Sequence, residues 1–498
     1  MLLPFLIIIP FLGGIFSWIL YLYSRTLAKF IAIFSIVLVF LLNTIIFKNH
    51  FYDVSNIYCD DLWYEKFFFP LMCKLDISIN LALDRFSIYM IFLLTLLCFV
   101  SIIFSWNEKN SNSGAFYLNV LILFSSIIGV FLSKDLFLFF CFWEIMIFPI
   151  CFLNIFYGLK TNYKNKIKCV KSFFLHSQIS SLIMFSSILL LVHYNYSING
   201  IWTFDFNLLK NSFLSSNFTE YFVLFGFLLS FLVKMPSVPF HTWLPSFSYY
   251  SPIGNSVDLL GFLSKVGVYS ILRFFIPLSH NVFYRIQILG ILLGVINIFY
   301  GIFMASIKNN LKYILSYINI AHSGIMLVSI FNINNISYEG LLLYIISSTI
   351  CSTALFVLSS KLYKQIQTYN LNKVGGLWDK INIIPEFFLF FSLSNFGLPG
   401  TGNFISELLI FLGLFLFCPK ISIICIISLM FFVFCSLKMF HRIFYGELKN
   451  KIKFHNINFL EIFTILLLTC LLILIGLFPN FILYKFDFYN DFLYKNVD

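Results

Sequence analysis

Apolar residues run in long blocks along this chain, and polar residues gather between the blocks. Stretches of twenty or more apolar residues recur from end to end, each long enough to cross roughly 30 Å of hydrocarbon. Hydropathy marks about fourteen of them. They centre near Ile9, Val37, Leu93, Leu123, Ile145, Met184, Leu229, Gly261, Leu293, Ile318, Ile346, Phe396, Phe432 and Leu467. Transmembrane strands would instead show short segments of alternating polarity. The pattern therefore predicts an all-α polytopic membrane protein. Between the second and third blocks, from about Phe47 to Leu83, an aromatic-rich stretch of mixed charge predicts an extramembrane loop. Asp84 and Arg85 open the third span. The N-terminus, MLLPFLIIIPFLGGIF, has no basic leader and no small-residue cleavage site, so it reads as a retained first span.

Two blocks are interrupted. The seventh meets KMPSVP, starting at Lys234, and the twelfth meets GLPGTG just before Glu407. Proline removes a backbone donor and breaks the helix ladder. At membrane depth the freed groups need protein or trapped water to satisfy them. Pro/Gly-broken helices at matching places in two halves are the sequence sign of an inverted-repeat transporter with its site at the breaks. The first repeat is expected at 114–274 and the second at 285–445. An N-terminal region of helices and loop, 1–113, precedes them, and a final helix and tail, 446–498, follow.

Charged groups inside the blocks are few. On the mildest scale each costs roughly 2.5–3.5 kcal/mol in hydrocarbon, so each marks a candidate site. Glu144 sits in LFLFFCFWEIMIFPICFL and needs a cation, for which Lys234 and Lys265 are the intramembrane candidates. Such a pair either locks helices together or carries protons. Lys265, in GFLSKVGVYSILRF, lies near mid-span between glycines; its alternative is snorkelling to the interface. His322, in ILSYINIAHSG, is either a satisfied core histidine or a group that takes and passes a proton. Glu407 follows the glycine-rich break, where a helix N-terminus also favours an anion. Asp258 is a further acid with no assigned role. His241 and Trp243 follow the first break and either line an entrance or plug it.

Composition narrows the class. The 498 residues are 60% hydrophobic and 11% charged, with mean hydropathy +0.94. The net charge of +11 does not point to nucleic acid, because the bases fall in loops where membrane topology explains them. One side receives Arg25 and Lys29, Lys109, the Lys160–Lys168 cluster, Lys308 and Lys312, Lys361 to Lys380, and Arg442 to Lys453. Opposite loops carry Asp53, Asp60, Asp61, Glu65 and Asp76 instead. The basic side is expected to face the cytoplasm or mitochondrial matrix, with both termini opposite. The eleven cysteines are scattered without a C-x-x-C pair, which argues against zinc or iron–sulfur ligation. No phosphate-cradling G-x-x-x-x-G-K-[ST] or G-x-G-x-x-G motif is present in a strand–helix context. The bias toward Phe, Ile, Asn, Lys and Tyr points to an AT-rich genome and leans toward an organelle.

FLVKMPSVPFHTWLP, SVDLLGFLSKVGVYSILRF, LKYILSYINIAHSGIM and FGLPGTGNFISELLIF together carry a resemblance that spans nearly the whole chain. The chain resembles the antiporter-like, proton-translocating subunits of respiratory NADH:ubiquinone oxidoreductase (complex I), and within them the subunit 4 branch. The resemblance implies fourteen spans and two inverted five-helix repeats with broken helices. It implies a mitochondrial inner membrane, with both termini on the intermembrane-space side. It implies a proton relay of Glu144, Lys234, Lys265, His322 and Glu407, and a glutamate at position 407 selects subunit 4 over its two relatives. NADH, FMN, iron–sulfur clusters and ubiquinone are expected in partner subunits, with no cofactor bound here. The partners are other membrane-arm subunits, including the two related antiporter-like ones, and the bilayer. The chain departs from the family at SFSYYSP after HTWLP, where an acidic, histidine-bearing stretch is usual, and at Ser348, where a histidine is usual.

The relay needs only electrostatics. A carboxylate about 4 Å from a lysine contributes roughly 4 kcal/mol at an effective dielectric near 20, and doubling the separation halves it. Withdrawing Glu144 would free a proton from Lys234 toward Lys265, His322 and Glu407. Two other classes compete with a subunit of a redox-driven pump: a subunit of a cation/proton antiporter, and a structural scaffold with vestigial charges. Glu407 in place of lysine favours the pump over the antiporter.

Overall fold

A computed structural model describes residues 2–51, 63–68, 78–106, 113–159, 163–212, 217–252, 256–279, 282–332, 334–381, 383–447 and 458–483; of residues 49–51 and 256–261, among a few others at element ends, only the backbone is described. The helices follow the apolar blocks. They are α1 (Leu3–Leu20), α2 (Arg25–Phe51), α3 (Arg85–Ser105), α4 (Ser113–Leu132), α5 (Leu136–Ile145), α6 (Ile147–Tyr157), α7 (Tyr163–Asn199), α8 (Phe206–Ser212), α9 (Asn217–Lys234) and α10 (Trp243–Tyr250). There follow α11 (Ser256–Ser270), α12 (Ile276–Leu278), α13 (Phe283–Ile307), α14 (Leu311–Phe331), α15 (Asn335–Ile366), α16 (Ile384–Ser394), α17 (Gly402–Phe417), α18 (Pro419–Phe444), α19 (Phe459–Leu477) and α20 (Asn480–Leu483).

Among the described residues, eleven helical segments are long and apolar enough to cross a membrane, counting α5 and α6 as one. The three other expected spans fall on α9, on α11 with its continuation, and on the pair α16 and α17. The all-α expectation needs one addition. Within the expected loop, β1 (Trp63–Phe68) pairs antiparallel with β2 (Ser78–Leu83). Glu65 on β1 accepts from the Leu2 backbone N–H at 2.8 Å, tying the hairpin to the start of α1.

The chain packs as two compact units, with the boundaries falling at Lys234, inside α11 and at Phe283. The first unit contains Met1–Lys234 and Val266–Phe283. Here α3 starts as expected, and the Asp84 backbone N–H donates to Ser87 Oγ at 2.8 Å. Arg273 pairs with Asp84. Arg273 sits in a five-residue π-helical turn, Ile271–Phe275, that widens the span before α12. The fifth span is also broken, between α5 and α6, which the hydropathy blocks did not show. Pro149 cannot donate to the Ile145 carbonyl, and the ladder fails at Met146. The expected Lys160–Lys168 loop is shorter than anticipated: Lys164, Lys166 and Lys168 lie on the opening turns of α7.

The second unit contains Met235–Lys265 and the chain from Tyr284 onward. Its two central helices, α14 and α15, are buried along their whole apolar windows. Gly324 lets α14 approach α13 closely: a methyl group there would stand 2.6 Å from the Gly294 carbonyl. Asn310 caps α14, its side chain accepting from the Lys312 N–H at 3.2 Å. The first break lies in this unit. The Val238 N–H donates to Asn297 Oδ1 at 2.6 Å and Ser323 Oγ donates to the Pro236 carbonyl at 3.2 Å, so side chains replace the lost ladder bonds.

Candidate functional site

Glu144 and Lys234 both belong to the first unit. Glu144 occupies the last turn of α5, directly before the break. Its Oε2 accepts from Gln178 Nε2 on α7 at 2.6 Å, and its Oε1 has no hydrogen-bond partner among the described residues. Lys234 is the last residue of α9 and only 1% exposed. Its Nζ makes no hydrogen bond. It stands 5.3 Å from the centroid of the Trp143 ring and 5.8 Å from that of Phe173.

The expected Glu144–Lys234 contact is therefore not made. Among the described residues, no carboxylate oxygen lies within 4.0 Å of Lys234 Nζ. Gln178 occupies the carboxylate, and two aromatic faces hold the cation, an attraction that strengthens when water is excluded. Glu144 stays within electrostatic reach of Lys234.

Lys265, His322 and Glu407 belong to the second unit. Lys265 is buried on α11 and lies within electrostatic reach of His322. His322 lies in the unbroken middle of α14, fully buried. Its Nδ1 meets Tyr344 Oη of α15 at 2.5 Å, and its Nε2 meets Asn395 Oδ1 at 2.8 Å. An amide oxygen only accepts, so Nε2 carries the proton. Tyr344 can then donate its O–H to Nδ1 of a neutral ring.

Asn395 begins the gap between α16 and α17, and that gap leads to Glu407. Asn403 Nδ2 donates to the Ser394 carbonyl at 2.8 Å, and Cys351 Sγ meets Ser394 Oγ at 3.2 Å. Gly397 and Gly400 take φ of +82° and +91°, a backbone region glycine tolerates. Gly397 has a second reason to be glycine: a Cβ there would lie 2.8 Å from Glu407 Oε2. Glu407 itself is buried, and its Oε1 has no hydrogen-bond partner among the described residues. Ser347 Oγ, Ser348 Oγ, Asn395 Nδ2 and Asn403 Oδ1 share that condition. Buried polar atoms of this kind are normally satisfied, by water where protein does not serve.

Of the remaining expectations, His241 is buried with Nε2 2.9 Å from Tyr300 Oη, and Trp243 is buried in the first turn of α10. Asp258 lies outside the residues whose side chains are described. Sequence reasoning missed Gln178, Trp143, Tyr344 and Asn395. The first, third and fourth meet their partners across 34, 22 and 73 positions, and no local pattern encodes that. The break after Glu144 was signalled by Pro149.

The NADH:quinone oxidoreductase/Mrp antiporter transmembrane family matches residues 133–434. The chain belongs to this family. Relatives in the antiporter family agree along its length. NADH-quinone oxidoreductase subunit M of Buchnera aphidicola subsp. Baizongia pistaciae is 39% identical over 492 residues, 97% of this chain and 96% of the relative. Subunit M of Escherichia coli K12 is 37% identical over 487 residues, with the same shares. NADH-ubiquinone oxidoreductase chain 4 of Chondrus crispus is 30% identical over 433 residues, 86% of this chain and 84% of the relative. A chain of respiratory complex I from Thermus thermophilus superposes with a TM-score of 0.84, covering 97% of each chain. At 24% identity that likeness speaks for the fold alone. The mitochondrial expectation gains no support from the bacterial relatives. The compositional bias behind it does not separate an organelle genome from an AT-rich bacterial one.

Proposed function

We propose that this chain is a membrane-arm subunit of an NADH:quinone oxidoreductase and translocates protons coupled to NADH oxidation and quinone reduction. It corresponds to subunit M of the bacterial relatives and to the subunit 4 branch recognised in the sequence. The redox chemistry belongs to other subunits, which hold the nucleotide, flavin, iron–sulfur clusters and quinone. The partners within the membrane are its two antiporter-like relatives.

One observation carries the relay reading. Three of the five proposed relay groups sit at or just beyond a broken helix: Glu144 at the Pro149 break, Lys234 at the Pro236 break, and Glu407 in the second turn of α17. Helix breaks expose backbone groups that water can meet, and ionisable residues at membrane depth mark ion pathways. In the proposed sequence, Glu144 shifts between Gln178 and Lys234. When the carboxylate withdraws, Lys234 gives up its proton toward Lys265. His322 takes a proton on Nδ1 as Tyr344 releases that position, and passes one onward from Nε2. The unpartnered hydroxyls and amides between α15 and the α16–α17 gap conduct it to Glu407 through water.

The similarity to bacterial relatives supports the plasma membrane of a bacterium as the site. The basic loops support a cytoplasmic face for the α7 start and the opposite face for both termini. Purification of the tagged chain in mild detergent tests the assignment. Co-purifying flavin and iron–sulfur absorbance with NADH oxidation is the expected result. A chain that purifies without them and still exchanges cations for protons would establish the antiporter alternative.

A further inference from the structure

Within the second unit, the end of α13, the last turns of α18 and the start of α14 enclose a groove lined by Lys308, Lys438 and Arg442. Its remaining lining is apolar or neutral, chiefly Ile314, Cys435 and Met439, with no carboxylate. None of the three bases forms an ion pair with a described residue. Lys438 Nζ donates to the Ser306 carbonyl at 3.2 Å, and Arg442 Nη1 donates to Asn309 Oδ1 at 2.8 Å. Lys308 Nζ stands 5.9 Å from the Tyr317 ring centroid.

Helix capping accounts for only part of this charge. A helix C-terminus carries about half a negative charge. The ends of α13 and α18 together thus offset about one of three cations. About two positive charges remain uncompensated in a half-buried groove. The apolar surface continues from the groove along both helices: Phe303, Ile307, Phe434 and Leu437 are exposed. The ligand that fits has an anionic head and apolar tails. The groove also lies on the side to which the loop charges assign the cytoplasm, where anionic lipids collect and basic pockets between helices bind their headgroups.

We propose that this groove is a binding site for the phosphate headgroup of an anionic phospholipid of the cytoplasmic leaflet. Lys308, Lys438 and Arg442 hold the phosphate, and the acyl chains lie along α13 and α18. This site is independent of the proton-relay reading.

The test uses the intact complex in phosphatidylcholine vesicles containing a phosphatidylglycerol with a photoactivatable acyl chain. Crosslinks should map to α13 and α18 peptides. Unlabelled phosphatidylglycerol should compete, whereas added phosphatidylcholine and inorganic phosphate should not. Lys308→Gln, Lys438→Gln and Arg442→Gln should each weaken labelling about fivefold, in line with the usual worth of one base near an anionic surface. Arg442→Lys should retain most of it. Should Lys438→Gln or Arg442→Gln fail to assemble, the surface-lying Lys308→Gln alone carries the test. Undiminished labelling in the assembled Gln variants, equal competition by phosphatidylcholine, or displacement by inorganic phosphate would each overturn the proposal.

Discussion

Replacing Lys234 by arginine separates a proton carrier from a structural cation. The side chain is buried, with no hydrogen bond and no carboxylate within 4.0 Å among the described residues, and it faces the rings of Trp143 and Phe173. An arginine keeps the charge and stacks on aromatic faces at least as well, so the contribution of about 2 kcal/mol expected of a desolvated cation–π contact persists. The complex should therefore assemble. Arginine does not give up its proton in a protein, so a carrier at this position is blocked. The companion change Glu144→Gln removes the distant carboxylate. Beyond 4 Å its attraction is below about 4 kcal/mol, and near 8 Å it is about 2 kcal/mol at an effective dielectric of 20. About 2 kcal/mol is roughly thirtyfold in an equilibrium, so pumping in Glu144→Gln should fall by an order of magnitude or more. Protons translocated per NADH oxidised are measured in inverted vesicles, with assembly checked on native gels. Near-normal pumping by an assembled Lys234→Arg complex would refute the carrier role and leave Lys234 as a structural cation.

Three further outcomes are expected. A cysteine replacing Lys164, in the first turn of α7, should react with an impermeant maleimide from the cytoplasmic side only; labelling from the other face would reverse the topology. Ser348→Ala should reduce pumping less than His322→Ala, because Ser348 Oγ has no protein partner to lose and water replaces one hydroxyl in a wet path, whereas His322 holds both Tyr344 and Asn395; equal losses would show the hydroxyl to be required. Gly397→Ala should lower the yield of assembled complex, since positive φ costs a non-glycine residue about 1–2 kcal/mol and the methyl meets Glu407 Oε2; adding Glu407→Ala should recover part of that yield, and no recovery would show that the carboxylate is not what the methyl strikes.

What could be read in advance depended on the range of each interaction. KMPSVP and GLPGTG stop helices through local backbone chemistry, and both breaks fall where the sequence places them. Pro149 acts by the same rule, but a lone proline inside a strongly apolar block is masked by its neighbours in a hydropathy window. Lys234 and Glu407 were legible as costly charges. The partners of the charges were not: Gln178 displaces Lys234 from Glu144 because an uncharged donor on the long α7 reaches the carboxylate first. The Trp143 ring under Lys234 reads in sequence as one more core aromatic. The hairpin of β1 and β2 was hidden because a stretch of mixed charge between spans looks like loop whatever its pairing.

The complete burial of α14 and α15 bears on how the protein is made. The apolar block of α14 is less apolar than that of α2, and the helix carries Lys312 and His322. Lys312 spends its ammonium on backbone carbonyls at the end of α10, 2.9 Å from that of Ser251. Such a segment enters lipid less readily than α2. It is synthesised before Tyr344 and Asn395, the partners of His322, so it leaves the ribosome with that histidine uncovered. Its residence in the membrane is then a property of the finished fold rather than of its own sequence. Chains truncated after α14 should be recognised and degraded.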